Sequence, residues 1–254
     1  METNLAGGMD EREYADAILD GCLESGTLGM VGDGASPKKY LIGLEAIKKR
    51  GGLGIPIFKP REYNLDIIKR FKAAEDAGAI AVGIDIEAAS FKTMTLKGQA
   101  VGPKTIAELQ ELKSHLKVPF ILKGIMNVES ALAAIEAGAD AIVVSNHGGR
   151  VMDHMPGTAE VLPGIANAVG GRVKVLVDGG IREGIDILKM LALGADVVMI
   201  GRPVCIAAFG AGQEGVSFYL QEKLNELKKA MILTGCGSID RIDPSIIFRK
   251  KGDR

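Results

Sequence analysis

Three histidines occur in 254 residues, and one of them, His147, stands in the run V-V-S-N-H-G-G-R at 143–150. An apolar β-type run stops there and polar groups begin within one residue. That change predicts His147 and Arg150 at the carboxyl end of a strand. An imidazole so placed suits general-base work, and a guanidinium nearby can hold a carboxylate through two parallel hydrogen bonds. Gly148 and Gly149 let the backbone turn sharply and a ligand approach closely. The plainer alternative is a histidine that hydrogen-bonds its own loop while Arg150 pairs with a surface acid.

Two later motifs speak for phosphate. V-D-G-G-I-R at 177–182 is followed one strand later by I-G-R-P at 200–203. Glycine turns after successive strands, each with an arginine, make a cradle of backbone N–H groups and guanidinium forks from Asp178, Gly179, Gly180, Arg182, Gly201 and Arg202. Either motif alone would as readily be a pair of tight turns. Lys123 ends the run F-I-L-K-G, where its ammonium can stabilise an anion or merely reach the rim. Asp85, in G-I-D-I-E, can orient an imidazole; it can equally be a helix cap or a solvent-facing acid, and Glu87 can serve either role instead.

These residues need a frame that gathers strand ends. Apolar runs predict strands at 26–31, 55–59, 79–85, 119–124, 141–146, 173–180 and 196–201. Helical patterns fall between them at 10–25, 38–50, 64–77, 105–115, 128–137, 158–169, 183–193 and 214–234. Thr105 with Glu108 forms a capping box, and Asn127 and Thr158 are N-cap candidates. Strand–helix alternation without hairpins implies a parallel α/β fold, and one domain over 1–254. A (β/α)8 barrel gathers ligands at the carboxyl ends of its strands. The doubly wound sheet is the alternative, but its G-x-G-x-x-G turn is missing. Seven strands are recognisable rather than eight, and no strand-like run precedes Asp10. A gap or substitute element is therefore expected where a first strand belongs, and eight continuously paired strands would contradict that.

Composition narrows the classes of partner. Thirty-one basic and thirty-two acidic residues give a net charge of -1, which supplies no attraction for nucleic acid or an anionic membrane. The longest apolar stretch is broken by Asp196 and Arg202, which argues against a membrane span. Three widely spaced cysteines, Cys22, Cys205 and Cys236, suggest reduced thiols in a cytoplasmic protein.

From about Pro119 to Cys236 the linked motifs F-I-L-K-G, V-S-N-H-G-G-R, V-D-G-G-I-R-x-G-x-D-I-L-K-M-L-A-L-G-A-D, I-G-R-P and A-M-I-L-T-G-C resemble the FMN-dependent 2-hydroxy-acid dehydrogenase/oxidase family, which includes glycolate and lactate oxidases. The resemblance implies an FMN-binding barrel that oxidises a small L-2-hydroxy acid to the 2-oxo acid. It assigns His147 as the base, Arg150 as the grip on the substrate carboxylate, Asp85 as the acid partner of His147 and Lys123 as the lysine near flavin N1. Ser145 becomes a flavin-contacting hydroxyl, and Gly180, Arg182, Gly201 and Arg202 the phosphate cradle. Gly32, Asp33 and Lys59 are lining residues, and a homo-oligomer is implied.

The chain departs from the family pattern in its early part. The N-terminal segment with a substrate-binding tyrosine and the first barrel strand are not recognisable. I-F-K-P-R stands at 57–61 where Gln-x-Tyr is common, and the loop at 87–103 lacks a second carboxylate-clamping arginine, for which Lys92 or Lys97 would have to substitute. Two alternatives follow. One is a truncated or degenerate flavin-binding barrel without this activity; the other is a different FMN barrel, such as an isopentenyl-diphosphate isomerase, against which S-N-H-G-G-R argues.

Overall fold

Helix-stop glycines lead into strands in a repeated fashion, and the acid after the glycine has a fixed task. In A-G-A-D, the Asp140 carboxylate accepts the Phe120 amide at 2.7 Å; in L-G-A-D, Asp196 accepts the Val175 amide at 2.8 Å. Each acid thus ties the start of its own strand to the strand before it, which sets a parallel register from the first residue. The computed structural model describes residues 8–248.

The elements are α1 (Glu11–Glu24), β1 (Met30–Gly32), α2 (Pro37–Lys49), β2 (Ile55–Phe58), α3 (Asn64–Asp76), β3 (Val82–Asp85), α4 (Lys92–Leu96), α5 (Ile106–Ser114), β4 (Phe120–Ile125), α6 (Val128–Glu136), β5 (Ala141–Val144), α7 (Thr158–Val169), β6 (Lys174–Val177), α8 (Gly184–Ala192), β7 (Val197–Val198) and α9 (Arg202–Leu233). The strands form one parallel sheet in the order β1 to β7, each paired with its sequence neighbour. The result is a curled α/β half-barrel. Among the described residues no eighth strand joins β7 to β1, in keeping with seven recognisable runs. The expectation that no strand precedes Asp10 falls largely on residues 1–7, outside the described residues.

Alternate strand residues face two cores. Ile55, Ile57, Ala81, Ile121, Ala141, Val143 and Leu176 pack with Met30 and Met199 in a cluster of their own, while Phe58, Val82, Ile84, Phe120, Leu122, Ile142, Val144 and Val175 pack with helix side chains. Burying each large apolar side chain contributes about 1.5–3 kcal/mol, so this layer carries most of the stabilisation. Where β1 and β7 do not pair, helices meet instead. Ala17, Ile18 and Cys22 of α1 pack on Val204, Ala208 and Val216 of α9, and a Cβ on Gly21 would lie 2.5 Å from Val216 Cβ. Arg50 pins α2 to α1 through Asp16 at 2.8 Å and Asp20 at 2.5 Å.

Three expectations need correction. The last helix begins at Arg202 rather than 214, with its break at Ala211 and Gly212. Pro203 in its first turn is the signal, since proline suits that position; the glycines at 210, 212 and 215 obscured it. Thr158 is not the N-cap of α7, which is Gly157; its hydroxyl donates to the Asp178 carbonyl at 2.7 Å instead. The loop at 87–103 carries a helix of its own, α4. The capping box of Thr105 and Glu108 and the Asn127 cap are both formed.

Candidate active site

The parallel register places Asp85, the last residue of β3, directly beside Lys123 of β4, and Lys123 beside Val143 of β5. The strands therefore deliver Asp85, Lys123 and the segment leading to His147 to one rim without long loops. Lys123 Nζ lies 3.0 Å from Asp85 Oδ1, 2.5 Å from Glu87 Oε1 and 3.9 Å from Asp178 Oδ2. Lys59, just past β2, pairs with the other oxygen of Asp85 and lies 5.0 Å from the Phe91 ring centroid. Four strand ends thus meet in one buried set of alternating charges.

His147 sits above this set. Its Nδ1 is 3.0 Å from Glu87 Oε1 and 3.5 Å from Asp85 Oδ2, and its ring stands edge-on to Phe91 with centroids 5.0 Å apart. The backbone at His147 has φ 56°, and Gly148 and Gly149 follow with positive φ. Such a conformation is strained for a residue with a side chain, and it is the kind of strain found where a group is held for a task. Ser145 is fully buried and accepts the His147 amide at 3.1 Å, bracing that turn. Arg150 donates from Nε to the His147 carbonyl at 3.2 Å, which turns its guanidinium toward the same mouth.

Charge settles unevenly over the two acids. Burial alone would raise the Asp85 pKa, but the nearby His147 ring and the ammoniums of Lys59 and Lys123 outweigh it and hold the group well below 3.8. Glu87 goes the other way. Burial and the adjacent Asp85 charge raise it above 4.5, against the pull of His147. Lys123 is raised, because Asp85, Glu87 and Asp178 overcome the effect of its burial.

A cavity of about 370 Å³ opens over these groups. Its lining includes Lys59, Asp85, Lys123, His147 and Arg150, with Gly32, Asp33, Phe91, Thr93, Met94 and Met199, and its far wall is Tyr14, Ala15 and Ile18 of α1. That volume falls in the range for a small-molecule site. Lys92 and Lys97, suggested as substitutes for a second cation, are exposed and do not line it; Lys59 does. Asp33 lines the cavity but is bound to Arg61 at 2.6 Å and to the Lys59 amide at 3.2 Å, so its task is structural. Arg61 also donates to Gln99 at 2.7 Å and bridges Val101, clamping the far end of the segment that carries Glu87, Phe91, Thr93 and Met94.

The glycine-and-arginine motifs adjoin the site, Asp178 through Lys123 at 3.9 Å and Arg202 beside Gly148, although none of their residues lines the cavity. Gly179 and Gly180 have φ 103° and 77°, and Thr158 fills the space under Gly179. The first amides of α8 are already taken, Glu183 N by Asp186 at 3.1 Å and Gly184 N by Glu226 at 2.6 Å. The start of α9 has no such side-chain cap, and its first residue is Arg202, whose Nη2 would lie 3.1 Å from a Cβ on Gly148. Asp178 Oδ1 and Glu87 Oε2 are buried without a hydrogen-bond partner. A phosphate at the α9 N-terminus and a polar group against Asp178 suit these open positions.

Two site residues were underestimated in the sequence. Glu87 was only a substitute for Asp85, because the Ile86–Ser90 3-10 turn that folds it back is not legible as a strand end. Lys59 was only a lining residue, because its pairing with Asp85 depends on the β2–β3 register.

Comparison with known proteins agrees with this geometry. Residues 87–249 match the family model described as FMN-dependent dehydrogenase. An L-lactate oxidase of Lactobacillus jensenii is 40% identical over 205 residues, covering 78% of this chain and 50% of that protein. A peroxisomal (S)-2-hydroxyacid oxidase of Arabidopsis thaliana is 34% identical over 224 residues, covering 75% of this chain and 61% of that protein. A crystal structure of mandelate oxidase with benzoyl-formic acid superposes with a TM-score of 0.77 at 34% identity, covering 92% of this chain and 72% of that one. The chain thus spans half to three-fifths of the length of these two sequence relatives.

Proposed function

Because this chain belongs to the FMN-dependent dehydrogenase family, we propose that it oxidises a small L-2-hydroxy acid of the lactate or glycolate class to the 2-oxo acid. The observation that carries the reading is the imidazole of His147, held at Nδ1 by buried carboxylates with Arg150 beside it at the cavity mouth. An acid at Nδ1 keeps the proton there and leaves Nε2 free to take one from substrate, and it stabilises the imidazolium that results. Arg150 grips the substrate carboxylate, and Lys59 adds positive charge to the same cavity.

The residues present fit FMN. Gly179, Gly180, Arg182, Gly201 and Arg202 would hold its phosphate, Asp178 its ribityl hydroxyls and Lys123 its ring, while the buried Ser145 would brace the His147 turn behind it. When bound, FMN supplies the acceptor for the two electrons that leave the hydroxy acid. Lys123 lies with its ammonium anchored by three acids, ready to balance negative charge that arises nearby. A diphosphate isomerase would need a larger basic cluster in the cavity than Lys39, Lys59, Lys123 and Arg150 provide, all but the last being paired with acids.

No helix among the described residues is long and apolar enough to cross a membrane. A cytoplasmic setting is supported by the three free thiols. Self-assembly into a homo-oligomer is supported by exposed Ile206 and Phe218 on α9. The test of function is spectroscopic: protein reconstituted with FMN is mixed anaerobically with L-lactate or glycolate. Bleaching of the flavin absorbance, abolished by His147→Ala, is the expected result; a bound flavin that neither acid bleaches would reject the reading.

A further inference from the structure

Two carboxylates approach one ring nitrogen, and they are not equivalent. Asp85 Oδ2 is 3.5 Å from His147 Nδ1, outside good hydrogen-bond range, whereas Glu87 Oε1 is 3.0 Å away and within it. Both Asp85 oxygens are already engaged, one by Lys59 and the other by Lys123 at 3.0 Å, whereas Glu87 shares Oε1 between Lys123 and His147 and keeps Oε2 unbonded. Glu87 and Phe91, the two side chains that fix the plane of the ring, come from the same short segment after β3.

Room for Glu87 is made by the opposite strand. The β4–β5 register shifts between Lys123 and Ile125, and Gly124 at that bulge has φ 107°. A Cβ there would lie 2.3 Å from Glu87 Oε2 and 2.7 Å from Glu87 Cβ. Bulges of this kind commonly re-aim side chains beside active sites.

We propose that Glu87, rather than Asp85, is the positioning residue that holds the Nδ1 proton of His147, and that Asp85 serves as the fixed counter-ion of Lys59 and Lys123. The resemblance gave the Nδ1 role to Asp85; the distances assign it differently. As an anion Glu87 accepts Nδ1–H and leaves Nε2 free to take a proton. As a neutral acid it no longer favours the Nδ1–H form, and the Nε2–H form that then competes has no lone pair for substrate. The charged and titratable groups around this pair are Asp85 on β3, Lys123 on β4, Lys59 after β2, Asp178 after β6 and Arg150, which donates to the His147 carbonyl.

This inference rests on the proposed oxidation for its consequence, but its primary test does not. With only three histidines, ring-nitrogen NMR of 15N-labelled protein, with FMN and without it, reports the His147 tautomer directly. The Nδ1–H form is expected in the parent and in Asp85→Asn, and the Nε2–H form in Glu87→Gln. Glu87→Gln is also expected to slow flavin reduction at saturating L-lactate by about a hundredfold while leaving KM nearly unchanged. Should Glu87→Gln fail to fold, Glu87→Asp keeps a charge near Lys123 but draws it back from the ring, and gives the same readout. Unchanged ring signals in the Glu87 variants, or a change in Asp85→Asn alone, would overturn the assignment. A parent flavin that no hydroxy acid reduces would sink the oxidase reading and leave the tautomer result standing.

Discussion

Asp85 and Lys123 are register partners on adjacent parallel strands, and their side chains meet at 3.0 Å in a buried ion pair. The pairing follows from strand geometry, because residues opposite one another on one face share a side of the sheet. Lys123 also pairs with Glu87 at 2.5 Å, so its ammonium serves two acids, one of which, Asp85, it shares with Lys59.

Removing that ammonium leaves Glu87 buried without its cation and Asp85 with Lys59 alone. Lys123→Met is expected to destabilise the fold by about 3–5 kcal/mol, the usual consequence of breaking a buried pair from one side. Urea unfolding checks it. A loss within the scatter of surface substitutions would mean that water reaches the acids freely.

Gly124→Ala tests the bulge. Its positive φ costs about 1–3 kcal/mol for a residue with a side chain, and the new methyl collides with Glu87. Thermal unfolding should fall accordingly, and the His147 tautomer should move in the direction of Glu87→Gln.

The two acids respond to pH with opposite signs. Asp85, depressed, contributes stability above 3.8 that is lost as pH falls through its folded value. Glu87, raised, contributes stability that is full below 4.5 and lost as pH rises through its folded value. The stability of Glu87→Gln relative to the parent should therefore climb with pH from 4.5 upward, and that of Asp85→Asn should drop with pH across the interval below 3.8. Urea midpoints across an acid series measure both slopes; parallel curves for parent and variants would contradict the assignment.

Arg202→Ala tests the phosphate cradle. A charge-assisted hydrogen bond contributes about 1.5–3 kcal/mol, so FMN affinity should weaken by about 10- to 100-fold. Fluorescence titration with FMN measures it, and an unchanged Kd would remove Arg202 from the cradle. Arg182, whose guanidinium donates to the Ile181 carbonyl at 2.8 Å, should matter less.

What the sequence disclosed, and what it hid, divides by distance along the chain. The switch from apolar to polar at the end of each run located Asp85, Lys123 and His147, because strand termini are local features. Glycine after helix located most strand starts for the same reason. The start of α9 escaped, and Glu87 and Lys59 were legible only as an alternative acid and a lining residue, each for a different cause. The 3-10 turn reverses Glu87, the register of separate strands brings Lys59 to Asp85, and glycines mask the helical character of 202–213.

The clamp of Arg61 on Gln99 and Val101 separates two kinds of variation. The segment from Glu87 to Val101 is fixed at one end by its acid and ring contacts and at the other by Arg61, while Thr93 and Met94 face the cavity between those anchors. Exchanges at Thr93 and Met94 can therefore reshape the space for a substrate side chain without disturbing the groups that handle the proton. In the proposed reaction, fit to the substrate and handling of the proton thus fall to different residues of one anchored segment.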